Sequence, residues 1–243
     1  MAIAGTQLPI NDTDGIDKIT QVDKVTSPYF SDGSTTLAAA NIISSSLSDT
    51  NEKYFFGISH TDTPSTVEFN VAFGSTNGYG ANVEANTKSE TNAIYKQYSS
   101  LLLASNEVTG GFFISSPGSD SAVTSGKDEE IFVLSATRTN MKDRLNKGTW
   151  TIALSGSNTA DSAGTILELT DDSTNETPTS TPVGDRYNIV SGAAGTVAKE
   201  STVKTYGHFY PDMGILVFSQ QELSASIPGM STGLAQVVAF NSA

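Results

Sequence analysis

The sequence predicts a mainly β fold with minor α content. The expected form is an antiparallel β-sandwich or barrel-like domain with one packed helix over about residues 89–104 and an extended N-terminal arm. Three observations carry that reading. Hydrophobic residues make up 37% of the chain and charged residues 16%. Much of the remainder is Ser, Thr, Asn and Gly, which suit turns and solvent-facing strand positions and weaken helix interiors. Apolar and polar residues alternate in TVEFNVAF (66–73), which puts Val67, Phe69, Val71 and Phe73 on one face of a half-buried antiparallel strand. Short apolar runs recur between Gly-, Asn- and Pro-rich stretches, as many short strands require. A chain of 243 residues is long enough to bury such a core.

Residues 1–50 are polar and thinly patterned, and are expected to form an assembly arm that orders against a neighbour. Within it, LAAANII (37–43) fits a short helix or a strand. Residues 51–220 carry the β-rich core. KYFFGIS (53–59) reads as a buried strand, Pro64 marks a turn, and FGSTNGYGANVEANT is a Gly/Asn-rich loop. SETNAIYKQYSSLLLA (89–104) predicts the helix. Ser89 is an N-cap residue, Glu90 suits the positive end of the helix dipole, and Ile94, Tyr98, Leu101 and Leu102 follow helical spacing. GFFIS (111–115) and EIFVLSAT (130–137) read as strands. Gly148 is expected to supply a positive-φ turn or C-cap before TWTIALSG, whose Trp150, Ile152 and Leu154 share a strand face. TILELT is a further strand, and DDSTNETPTSTPVGD (171–185) reads as a long polar insertion. RYNIVSG and MGILVFS close the core. Residues 221–243 form a C-terminal segment suited to an inter-subunit contact.

The charge balance excludes whole classes of partner. Lys and Arg total 13 and Asp and Glu total 26, so the net charge is 13 − 26 = −13. Such a chain repels phosphate backbones and anionic lipid, so neither nucleic acid nor membrane is an expected partner. The acid excess serves solubility. The absence of cysteine excludes disulfides, thiolate metal sites and cysteine nucleophiles. MAIAGTQLPINDTDGID lacks the basic and apolar regions of a Sec signal, and no run approaches the roughly 18 apolar residues of a membrane helix.

Residues able to carry chemistry are few. His60 lies in SHTDTP with Asp62 close by, and His208 lies in YGHFYPDMG. Neither belongs to a recognisable triad, and no G-x-S-x-G elbow occurs. Phosphate-cradling loops are absent, and Gly78-Tyr79-Gly80 does not lead directly into a helix. Acidic groups recur at Asp12, Asp14 and Asp17, at Asp128, Glu129 and Glu130, and at Asp171 and Asp172. None has EF-hand spacing; a solvated loop is the commoner role for each, with an oxygen-lined cation site as the alternative. Paired carboxylates for glycoside hydrolysis stay open, although the candidates lack flanking aromatics, and Trp150 is expected in the core. No catalytic residue, cofactor or metal is assigned. Lys142, Arg144 and Lys147 in KDRLNKG form a small positive patch on an acidic chain. The patch suits a neighbour's acidic loop, although intramolecular pairing would use the same residues. Tyr79, in the Gly-rich loop, is the further candidate interface residue.

Four stretches, in order, carry a family resemblance. They are YFFGISHTDTPSTVEFNVAFGSTNGYG, AIYKQYSSLLLA, EIFVLSATRTNMKDRLNKGTWTIALSG, and RYNIVSG followed by TYGHFYPDMGILVF. Over roughly residues 50–220 the chain resembles structural tail or baseplate-region virion proteins of T4-like cyanophages and related marine myophages. The resemblance implies a non-enzymatic virion subunit that is assembled in the host cytoplasm and contacts other tail or baseplate proteins and copies of itself. It carries over no catalytic residue. A tail-fibre or capsid-decorating module that contacts host glycans or the capsid surface is the alternative. Proteins of that family continue past the point where this chain stops, so it is either a short member or lacks that region.

Overall fold

A computed structural model describes residues 26–27, 30, 37, 41–44, 54–59, 67–79, 89–107, 111–114, 127–156, 165–198 and 204–223. In chain order the elements are β1 (Thr26–Ser27), β2 (Asn41–Ser44), β3 (Phe55–Ser59), β4 (Val67–Ser75), α1 (Glu90–Leu102), β5 (Glu130–Ala136), β6 (Arg144–Leu145) and β7 (Ile152–Gly156). There follow β8 (Thr165–Asp171), β9 (Thr179–Thr181), β10 (Gly184–Ala193), β11 (Thr196–Val197), β12 (Thr205–Tyr210) and β13 (Ile215–Ser219). The fold is thus mainly antiparallel β with one helix among the described residues, and its main sheet curls into a half-barrel.

The order across that sheet is β2-β3-β4-β5-β13-β12-β10-β8-β7, with β9 and β11 paired onto β10. The last described strand, β13, therefore lies between the early strands and the late ones. It pairs with β5 over Ile215↔Ser135 to Ser219↔Ile131 and with β12 over Gly207↔Phe218 to Tyr210↔Ile215. β5 in turn pairs with β4 along its whole length.

EIFVLSA and ILVFS are nearly continuous apolar runs, and continuous runs belong to strands buried on both faces. Phe132, Leu216 and Phe218 face the concave side, where they join Val71, Phe73, Leu169, Tyr187, Ile189 and Phe209. Phe73 and Phe132 meet there at 5.0 Å, and Trp150 stands edge-on to Phe209 at 5.4 Å. Ile131, Val133, Ile215 and Val217 face the other side, beneath Tyr95, Leu102, Leu103, Phe112 and Ile114. Curl covers one face, and α1 with segment 111–114 covers the other.

Ser89 caps α1 as expected, its side chain accepting from the Asn92 N–H, and Glu90 occupies the first turn. The helix is rotated from the face that its hydrophobic spacing predicts. Thr91, Tyr95, Ser99 and Leu102 are buried, and Leu101 is 39% exposed. Tyr95 explains the rotation: its hydroxyl donates to the Asp128 carbonyl at 2.5 Å and accepts from the Phe112 N–H at 3.0 Å. The helix lies close on β4, because a Cβ at Gly74 would stand 3.0 Å from both the Tyr95 Cα and N. The second half of β4 is consequently buried on both faces, rather than half-buried as the alternation predicts.

Two further expectations change, and a third is narrowed. GFFIS joins no ladder over its described residues, 111–114. Its amides find other partners, since Ile114 N–H donates to the Asp128 carboxylate, Phe112 N–H donates to the Tyr95 hydroxyl, and the Phe112 carbonyl accepts from Asp128 N–H. Residues 171–185 are no loose insertion. Asp171 and Asp172 are buried, and β9 turns back onto β10 over Thr181↔Gly184 to Thr179↔Arg186. Of the helix and strand alternatives for LAAANII, the strand holds at its end: Asn41–Ile43 together with Ser44 forms β2, paired on β3. Within the expected arm, Phe30 also lies edge-on to Phe69, and β1 pairs in parallel with β6. In the C-terminal segment, Leu223 is buried in the concave core.

Gly74→Ala is expected to lift α1 off β4 and to lower stability by ~1–3 kcal/mol, the usual cost of overpacking. Urea unfolding followed by far-UV circular dichroism measures it, and an unchanged midpoint would show that the helix does not lie this close.

Candidate functional site

The buried aspartates among the described residues are bonded to backbone amides. The Asp171 carboxylate ends β8 and accepts from Gly148 N–H through both oxygens, at 2.9 and 3.1 Å, and from Ser173 N–H at 3.1 Å. Gly148 takes the expected positive φ, 66°, in the turn before Trp150. Asp172 accepts from the backbone N–H and side-chain amide of Asn188, at 3.0 and 2.8 Å. Burial pushes its carboxyl above the ordinary range, and the Asn188 bonds oppose that shift. Around this pair, Thr170 donates to the Trp150 carbonyl and accepts from Gly195 N–H, both at 2.8 Å, so strand β8, the 146–151 turn and the β10–β11 turn form one joint.

Asp128 does the same work between segment 111–114 and the end of β13. One carboxylate oxygen accepts from Ile114 N–H at 2.8 Å and the other from the Ser219 hydroxyl at the end of β13. Burial raises its carboxyl too, against those two bonds. Asp128, Asp171 and Asp172 are each at most 5% exposed, which replaces the expected solvated loops with buried anchors. Glu129 is exposed and accepts from the Asn77 side chain at 3.0 Å. No group of three or more His, Cys, Asp or Glu able to hold a metal occurs among the described residues. Asp12, Asp14, Asp17, His60 and Asp62 lie outside those residues.

His208 is buried on the outer face of β12, edge-on to Tyr210 at 6.5 Å. Burial brings its imidazole down to about 3, and the nearby Arg186 guanidinium adds to the shift. Arg186 pairs with Glu107 at 3.2 Å, which ties β10 to the turn that follows α1. Burial pushes the Tyr210 phenol up to about 12. The imidazole is thus neutral at ordinary pH and enclosed, and no nucleophile adjoins it among these contacts. Nothing in the local sequence signals the Arg186–Glu107 pair, whose partners lie 79 residues apart.

The candidate interface residues do not form one free patch. Lys142 is exposed. Arg144 is half-buried in β6, and Lys147 donates to the Tyr187 hydroxyl at 2.7 Å with its ammonium 4.8 Å from that ring's centroid. Tyr79 is partly buried against the concave core. The exposed large hydrophobics among the described residues are Leu101, Phe113 and Ile166, the last 64% exposed on β8.

The two sheet ends offer a different surface. β2 reads NIIS and β7 reads IALSG, and among the described residues each pairs with a single neighbour. Neither carries charge or proline, the usual devices that blunt an edge strand against another chain. The chain matches no family model, no curated protein and no solved structure.

The titration of His208 has a definite sign. The unfolded chain binds a proton near 6.5 that the folded chain does not accept until about 3. Stability from the neutral imidazole is therefore complete above pH 6.5 and is lost progressively toward 3, at no more than about 1.4 kcal/mol per pH unit. Asp128 and Asp172, raised in the folded chain, act oppositely: their contribution is present in acid and is lost as pH rises through their folded values. Urea titrations of the wild-type chain and His208→Gln should show the gap between them narrowing as pH falls below 6.5. A gap that does not change with pH would mean that the imidazole is not held neutral.

Proposed function

We propose that this chain is a non-enzymatic structural subunit of a tailed-phage virion, in the tail or baseplate, acting through contacts with copies of itself and with other virion proteins. The observation that carries the reading is the sheet, which among the described residues ends at both sides in short, uncharged strands whose backbone edges can take a further strand. The polar interior favours it as well. Asp128, Asp171 and Asp172 each hold loops in place through backbone amides, the use a rigid building block makes of buried acid. The resemblance of residues 50–220 to T4-like marine phage proteins supplies the kind of particle.

A host-glycan or capsid-binding module would need exposed aromatic platforms. Tyr79 and Trp150 pack against the concave core instead, which favours the structural reading over that alternative.

Sedimentation velocity over a wide concentration range, with capture by tail and baseplate proteins, tests the proposal. Concentration-dependent self-association or capture is expected. Ala153→Lys, at an exposed position on β7, should weaken it several-fold with an unchanged circular dichroism spectrum. A chain that stays monomeric at every concentration and captures neither class of protein contradicts the proposal. Hits on a glycan array would transfer the reading to the binding module.

A further inference from the structure

The turn after β4 holds the sole Asn-Gly dipeptide in the chain, Asn77-Gly78. Gly78 is buried against the helix N-cap, yet three features favour attack by its nitrogen on the Asn77 side chain. Asn77 is exposed, so water reaches its amide. Gly78 has no Cβ to shield the nitrogen and sits at φ 77°. Its N–H bond to the Ser75 carbonyl is 3.3 Å, beyond the usual range for such bonds.

The same turn is where β4, β5 and α1 are joined. The Thr76 N–H donates to the Glu129 carbonyl at 2.8 Å, and the Thr76 carbonyl accepts from the Asn92 side chain at 2.5 Å. Gly78 packs on the helix N-cap so closely that a Cβ there would overlap the Ser89 hydroxyl. The Asn77 side chain donates to the Glu129 carboxylate at 3.0 Å.

We infer that Asn77 is a site of spontaneous deamidation, and that its conversion loosens the N-terminus of α1. The Gly78 nitrogen attacks the Asn77 Cγ. A bond forms between them, the bond from Cγ to Nδ2 breaks, and Nδ2 leaves as ammonia with the proton given up by the Gly78 nitrogen. Water then opens the cyclic imide at either carbonyl, giving Asp or isoAsp. Either product sets a second carboxylate against Glu129 where a hydrogen bond stood, and like charges at that range repel. IsoAsp also lengthens the backbone by one methylene between Thr76 and Gly78, the two residues that seat the helix. No catalyst is required, so the change accumulates with the age of the protein.

The test incubates the full chain in mildly alkaline buffer at body temperature, with a mildly acidic control, and follows intact mass and an isoAsp-sensitive peptide map. The expected result is a one-dalton gain that maps to residue 77, appears several-fold faster than at any other asparagine, and slows in the acidic control. The converted fraction should also be cleaved several-fold faster by protease within α1. Asn77→Gln should remove the early mass gain. Asn77→Asp, which adds the charge without the methylene, should reproduce part of the protease sensitivity. If residue 77 converts no faster than other asparagines in the folded chain, yet converts rapidly in urea, the fold protects the turn and the inference is overturned. Rapid conversion with no change in protease sensitivity would overturn the claim about α1.

Discussion

Strand β13 and the Ile131–Val133 part of β5 lie side by side in the middle of the sheet with both faces buried. Covering them on two sides is the constraint from which most of the fold follows. Apolar area removed from water stabilises by about 25 cal/mol per Å², so neither face can be left wet without a large loss. On the concave side the sheet covers itself by curling, which brings Phe73, Phe132, Phe209 and Phe218 into one cluster. On the outer side the chain has one helix among its described residues, and α1 is seated over that pair and β4. Because β13 comes last among the described strands yet lies in the middle, the two halves of the sheet become one only when residues 215–219 insert.

The buried acids follow from the same constraint. A sheet covered on both faces has loops whose amides cannot all reach water, and a buried amide without a partner costs about 1–3 kcal/mol. Asp128 satisfies the segment at 111–114 that covers the sheet with α1, and Asp171 and Asp172 satisfy backbone amides at Gly148, Ser173 and Asn188. A carboxylate held by two or three hydrogen bonds is a strong anchor and a poor general base, because the bonds that keep it in place also occupy its lone pairs. Asp128, Asp171 and Asp172, whose acidic clusters suggested chemistry, are thus part of the frame. Among the described residues, β2 and β7 each pair with a single neighbour, and those edges are where an assembly reading finds its contacts.

Much of this was legible in the sequence because the signals were local. The Ser89 cap, the continuous apolar runs of β5 and β13, the shared face of Trp150, Ile152 and Leu154, and the turn at Gly148 all depend on neighbours a few residues away. The rest depended on distant partners. Leu101 is exposed because Tyr95 is drawn to Asp128, 33 residues on. GFFIS reads as a strand because strand propensity does not reveal that a carboxylate and a phenol will take its hydrogen bonds. DDSTNETPTSTPVGD reads as a loop because its polarity hides the Gly148 amide, 23 residues earlier, for which Asp171 is the acceptor. The turn signal Thr-Pro-Val-Gly at 181–184 could have flagged the β9–β10 hairpin.

Native-state hydrogen exchange, read residue by residue, tests the two-sided core most directly. The amides of β5 and β13, around Val133 and Val217, should exchange only through global unfolding, while those of β2 and β7 open earlier by local routes. Exchange from β5 and β13 at the rate of the edge strands, or before them, would contradict the claim that this pair organises the fold.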